Sequence, residues 1–243
     1  MTMDRRMFVK SSVGALVAAR VQGQAAVDLN DLAALWDVDR SVANLENAYW
    51  GVMPREIDDE YLQQTQFLNR RNVVFVRDGI AWHERTAAMD KVRADLATLL
   101  GAPKEEFALT RNGTEALQNL IMQYGRLESG DAVMYADLDY DEMQQAMASL
   151  QRYRGAKVLT FAIPEPATTA NVLAAYREQL KKAPANLKLL LVTHLSNRTG
   201  LVTPVKEIVG MARARGVDTI VDAAQTIGHR RDTARSRASG CRR

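Results

Sequence analysis

From residue 81 onward the apolar positions change their spacing in a repeating way. Over 81–100, Ala87, Val92, Leu96, Leu99 and Leu100 recur at roughly helical intervals, and Gly101 follows as a stop. The short apolar run Phe107-Ala108-Leu109 predicts a strand. The polar turn Thr110-Arg111-Asn112-Gly113 then leads into a helix over 114–124, ended by Gly125. A second strand is predicted at 132–135, and a helix at 141–153 with Gly155 behind it. A third strand follows at 157–163 and a helix at 171–182. Residues 189–192 are apolar without a break, the pattern of a strand buried on both faces. Pro204 opens another helix, as proline does well in a first helical turn, and Gly216 ends it before a strand at 217–221. Strands that alternate with helices of this length predict an α/β fold: a three-layer α/β/α sandwich around a mostly parallel sheet. Residues 27–80 are less regular and predict an N-terminal segment packed on the main domain. No internal repeat or low-complexity linker interrupts the chain.

Composition adds little until it is divided by position. The 243 residues are 47% hydrophobic and 25% charged, ordinary for a globular chain long enough to bury a core. The net charge of +3 is carried by the two ends. Residues 1–26 hold four basic residues against Asp4, and residues 230–243 hold six arginines against Asp232. The remaining body is net negative by five, which argues against a groove for nucleic-acid phosphates. Cys241 is the only cysteine, so no intrachain disulfide is expected. No metal-ligating set is assigned.

The front of the chain carries an address. Asp4-Arg5-Arg6-Met7-Phe8-Val9-Lys10 fits the twin-arginine pattern, followed by an apolar stretch at 13–19 and by Ala25-Ala26 as a cleavage zone. The stretch is too short to span a bilayer stably. Residues 1–26 are therefore expected to be a signal peptide that engages the twin-arginine export machinery and delivers the protein to the periplasm. That route carries folded cargo, which suits a protein that must take up a cofactor first.

Four segments directly behind predicted strands hold polar residues. In "LTRNGTEAL" a glycine turn opens a helix, so the N–H groups of Gly113, Thr114 and Glu115 are expected to face outward at the positive end of the helix dipole. It has neither the Lys of a Walker A loop nor the three glycines of a dinucleotide fingerprint. In "YADLDYDEM", Tyr140 stands among carboxylates; covering a helix start is its alternative use. In "THLSNRTG", His194, Ser196 and Asn197 crowd a turn that has no structural need of all three. In "VDAAQ", Asp222 emerges from a strand into a poorly solvated place, either as a helix cap or as partner of a cation. A phosphate anchor, an aromatic face, an amide and a carboxylate together suit pyridoxal phosphate, whose ring becomes an electron sink when its nitrogen is held protonated.

These segments, with "NGTEAL", "ADLDYDEM", "THLSNRTGLVTPVKEI" and "IVDAAQTIGH" in series, resemble the class V aminotransferase family of fold-type I pyridoxal-phosphate enzymes. Within it the chain is most similar to the isopenicillin-N-epimerase-like branch. The resemblance implies that 81–229 is part of the large cofactor-binding domain. It implies that Gly113 and Thr114 bind the phosphate, that Tyr140 stacks on the ring, and that Asp222 pairs with the ring nitrogen. Asn197 would reach the phenolic oxygen or the substrate carboxylate, Gln225 the phenolic oxygen, and Asn47 in "LENAYWG" the substrate. Cysteine desulfurases carry a His where Tyr140 stands, so Tyr140 favours the epimerase-like branch. The expected substrate is an amino acid, transformed by transamination, epimerisation or elimination, and the family is typically homodimeric.

One element of the family pattern is missing. A Lys that forms the Schiff base is expected about two dozen residues beyond the Asp222 position. Only 21 residues follow Asp222 and none is Lys; the last is Lys206. The chain is therefore expected to be a C-terminally truncated, inactive form without a catalytic residue. Residues 230–243 contain no Val, Leu, Ile, Phe, Met, Tyr or Trp and are expected to be disordered. They represent either a frameshift after His229 or a genuine basic tail. The second alternative implies a non-catalytic exported binding protein that keeps a half-site and uses the tail for an acidic partner.

Overall fold

The computed structural model describes residues 29–44, 49, 51–77 and 79–227. The export signal, Asn47 and the Arg-rich stretch at 230–243 lie outside the described residues. The chain divides into two compact units, Met1–Trp82 and His83–Arg243.

The first unit is more regular than its apolar pattern predicts. A short α1 (Leu29–Ala33) is followed by α2 (Arg55–Arg77), a helix of 23 residues. Apolar side chains at Ile57, Tyr61, Leu62, Phe67 and Leu68 are all exposed, so no buried stripe marks this helix in the sequence. Local terms hold it instead. Glu56 and Asp58 lie in its first turn, complementing the positive end of the dipole. Gln64 donates to Glu60 at 2.7 Å, and the Arg71 guanidinium lies 5.3 Å from the Phe67 ring centre. Arg55 pairs with Asp37 at 3.0 Å, and its N–H donates to the Leu35 carbonyl, which fixes the entry into the helix.

The second unit is built around a parallel sheet. Helix α3 (Gly79–Leu100), which the division cuts near its start, ends at Gly101 in the left-handed region. The predicted strand at 107–109 does not form. The segment follows a single 3₁₀ turn at Lys104–Glu106 and runs extended without a ladder partner. Arg93 occupies it instead, donating to the carbonyls of Lys104 and Phe107 at 3.0 and 3.1 Å. A three-residue apolar run is too short to decide between the two uses.

Beyond it the alternation holds. Helix α4 (Gly113–Met122) precedes β1 (Ala132–Ala136), α5 (Asp141–Arg154), β2 (Lys157–Phe161) and α6 (Thr169–Lys182). Then come β3 (Leu187–Thr193), α7 (Val205–Arg213) and β4 (Asp218–Asp222). The four strands are parallel in the order β2-β1-β3-β4. Side chains alternate across the sheet as the pleat requires. Met134, Leu190 and Val192 pack with Val172, Tyr176, Leu180 and Ile208 under α6 and α7. Val133, Leu189 and Leu191 pack with Ile121, Met143, Met147 and Leu150 under α4 and α5. The result is the predicted three-layer α/β/α sandwich. Strand β3 is buried on both faces, which explains its unbroken apolar run; each of its leucines contributes about 2 kcal/mol of burial. Gly155 closes α5 at φ +67°, and a β-carbon there would come 2.5 Å from the Ser129 hydroxyl. No other residue suits that corner. Among the described residues no helix is long and apolar enough to cross a membrane.

Candidate functional site

In an open parallel sheet, ligands collect at the carboxyl ends of the strands. Here β1, β3 and β4 end in polar residues that hold one another. Asp222 is the last residue of β4 and lies opposite Thr193, the last of β3. The His194 N–H donates to the Asp222 carbonyl at 2.8 Å, which continues the ladder one step past β3. The Asp222 side chain is only 5% exposed. One carboxylate oxygen accepts the Ala224 N–H at 3.0 Å. No basic side chain among the described residues forms an ion pair with it. Burial raises its pKa, and the Ala224 N–H offsets part of that rise.

The turn after β4 touches the start of α4. A β-carbon on Gly113 would meet the Ala224 side chain at 3.6 Å, an ordinary contact. Asn112 caps the helix by accepting the Glu115 N–H at 2.8 Å. The Glu115 carboxylate reaches back to the Arg111 N–H at 3.0 Å and to the Arg111 guanidinium at 2.9 Å. The helical ladder starts with the Ala116 N–H on the Asn112 carbonyl. These bonds leave the N–H groups of Gly113 and Thr114 without a hydrogen bond among the described residues, at the positive end of α4.

Tyr140 is half-buried at the N-cap of α5, in extended conformation at φ −62° and ψ 134°. Its N–H donates to the Thr193 hydroxyl at 3.2 Å. Directly before it, Asp139 is 2% exposed. Its carboxylate accepts the Ala136 N–H at 2.7 Å and the Thr193 N–H at 2.5 Å. Burial is the main reason its pKa climbs to about 6, and the charge of Asp222 adds to the rise. Asp139 is the residue that reading the sequence missed. "DLDYDE" offers four acidic residues, and nothing in the string says which one turns inward.

The loop after β3 is a closed turn. Leu195 pairs with Val202, Ser196 donates its N–H to the Leu201 carbonyl, and Gly200 donates to the Ser196 carbonyl. Asn197 sits at its exposed tip. Arg198 strapped beside it pairs with Asp141 and reaches the Asp139 carbonyl at 3.4 Å, so the loop is tied to the start of α5. Gln225 is half-buried in the turn after β4. The structure thus places Gly113 close to Ala224, bonds Tyr140 and Asp139 to Thr193, and sets Thr193 in register with Asp222. Asn197 and Gln225 lie on the two flanking loops, and no hydrogen bond among the described residues ties them to the others. Among the described residues no group of three or more His, Cys, Asp or Glu could hold a metal ion.

Comparison with known proteins agrees with this architecture. The chain is 29% identical over 192 residues to the isopenicillin N epimerase of Streptomyces clavuligerus, an alignment that covers 79% of this chain and 46% of that protein. The cysteine desulfurase of Thermococcus onnurineus NA1, in its apo form, superposes with a TM-score of 0.65 at 19% identity, over 86% of this chain and 50% of that one. A C-DES mutant with glycine covalently linked to its PLP cofactor superposes at 0.60 and 20% identity, over 73% and 46%. The chain therefore spans about half the length of the proteins it matches. Residues 61–236 match the family model described as Aminotransferase class-V. With the sheet order and strand-end site in place, that match makes the chain a member of the class-V aminotransferase family.

Proposed function

We propose that residues 83–227 form the cofactor-binding part of a pyridoxal-phosphate enzyme acting on an amino acid. The observation that carries this reading is Asp222, a buried carboxylate with one oxygen on a backbone N–H and no ion pair to a basic side chain among the described residues. An unpaired buried charge is costly, and a protonated ring nitrogen would relieve it. The residues present fit the rest of the group. The N–H groups of Gly113 and Thr114 offer donors to a phosphate at the positive end of α4. Tyr140 supplies an aromatic side chain next to Thr193, and Asn197 and Gln225 supply amides on the flanking loops. When bound, the group supplies an electron sink for the electrons of a cleaved bond at the amino acid's α-carbon. The part of Asp222 is to keep a proton on the ring nitrogen. The part of the α4 start is to hold the phosphate and so fix the ring's position. Tyr140 and the 29% identity to isopenicillin N epimerase favour the epimerase-like branch.

The 243 residues contain no Lys after Lys206, which precedes β4. None of the groups named here is a lysine, so residues 83–227 would hold the group through its phosphate and ring nitrogen rather than through a lysine link. Equilibrium dialysis against pyridoxal phosphate should show saturable binding at one site. Borohydride reduction followed by peptide mapping should then find no single modified lysine. A unique lysine adduct overturns this way of holding the group, and the absence of saturable binding overturns the whole reading.

We also propose export by the twin-arginine route to the periplasm, on the strength of residues 4–10. The double substitution Arg5→Lys with Arg6→Lys should retain precursor in the cytoplasm, visible on fractionation as the larger species. Undiminished export of that variant would remove the basis for the assignment.

A further inference from the structure

We infer that Asp139 is a positioning residue of the proposed cofactor site: it ties the start of α5, and with it Tyr140, to the end of β3, and it sets a second negative charge behind Asp222. This rests on the pyridoxal-phosphate reading above.

The geometry is that of a clasp. One carboxylate oxygen closes the turn at the end of β1 by accepting the Ala136 N–H. The other crosses to the neighbouring strand and accepts the Thr193 N–H. Thr193 then accepts the Tyr140 N–H through its hydroxyl, so the residues on either side of the gap hold each other twice. Gln144 adds a third tie by donating to the Asp139 carbonyl at 2.6 Å. Tyr140 cannot move from β3 without breaking this set. Thr193 in turn lies in register with Asp222, so the clasp also places the aromatic side chain relative to the carboxylate.

The charges around Asp139 define its second effect. Asp222, in register with the Thr193 that Asp139 bonds, carries a charge that disfavours its ionisation. Tyr176 faces it from α6, and its phenol is kept neutral by burial first and by the charges of Asp139 and Asp137 next. From the loop after β3, Arg198 reaches only the Asp139 carbonyl and spends its charge on Asp141. Half-buried His194 follows Thr193 on the same strand end. No basic side chain among the described residues forms an ion pair with the Asp139 carboxylate. A cation held at Asp222 would therefore feel two carboxylates, and each would be relieved by it.

Asp139→Asn tests this, because asparagine imitates the protonated acid. Dialysis of the whole chain against pyridoxal phosphate across pH compares the two proteins. At about pH 8, with Asp139 ionised, the unaltered chain should bind about tenfold more tightly. At about pH 5, with Asp139 protonated, the two should converge. A purely structural role predicts instead a ratio that is the same at every pH, and that result overturns the inference. A second measurement needs no variant. The Asp139 carboxyl, followed by carbon NMR in the unaltered chain, should titrate at lower pH once pyridoxal phosphate is added, because coupling between the two sites is reciprocal. A midpoint that does not move overturns the inference even if Asp139→Asn fails to fold. No binding by the unaltered chain overturns this inference together with the function it rests on. Binding with a flat ratio overturns this inference alone.

Discussion

Asp222→Asn should give a chain that melts at a higher temperature and binds pyridoxal phosphate about a hundredfold more weakly. Both effects come from the same carboxylate. Its pKa is raised by burial, so the folded state prefers the neutral acid and ionisation at neutral pH costs stability. Asparagine keeps an oxygen for the Ala224 N–H and removes the charge. The gain should be on the order of 1 kcal/mol, a common size for relieving a strained functional position. The loss in binding is larger because a charge-assisted hydrogen bond to the ring nitrogen becomes a neutral one; about 2.7 kcal/mol corresponds to the hundredfold change. Thermal melts with and without pyridoxal phosphate measure both numbers in one series. A variant that binds as tightly as the unaltered chain would take the ring nitrogen away from Asp222.

The second large effect is a loss of stability as pH rises from about 4 to about 6. The pKa of Asp139 stands at about 6 in the folded chain against an ordinary 3.8. The folded state therefore holds the proton more tightly than the unfolded one. The contribution is fully present below pH 3.8 and is lost as pH climbs through 6. A difference of about two pKa steps corresponds to about 3 kcal/mol. The raised pKa of Asp222 acts in the same direction. Urea unfolding across this range should show the unaltered chain losing stability relative to Asp139→Asn as pH rises. A gap that narrows with rising pH contradicts the buried, unpaired state of Asp139.

Much of the fold was readable because the sheet is buried on both sides. The middle of strand β3, residues 189–192, has no polar position to dilute its signal, and each helix of the second unit ends near a glycine or begins near a cap. Tertiary contacts alone decided two places. The run at 107–109 looks like a strand until Arg93 is found bonding its first carbonyl, that of Phe107. Helix α2 has no buried stripe to announce it, only charges and side-chain pairs spaced one turn apart. At the site, Asp222 and the start of α4 were legible from their position behind strand and turn. Asp139 was not, since its role depends on a bond to Thr193, 54 residues away. Asn197 was legible as a polar residue in the right loop, but the string could not say that its neighbour Arg198 would be the residue strapped to α5.

The strand order has a consequence for how the chain comes together. In β2-β1-β3-β4, the strand carrying Asp222 is the last of the four to be synthesised and, among the described strands, pairs with β3 alone. Gly113 and Ala224 must come together across more than a hundred positions, the kind of long-range closure that slows folding. Until β4 docks, β3 presents an open edge along Leu189 to Thr193, a template for mispairing with another chain. Once it docks, the turn at Ala224 closes on Gly113 and the ligand groups face one another for the first time. Uptake of a small molecule there would draw the equilibrium toward the state with β4 docked on β3 by mass action. Occupancy would then report that β4 is in place.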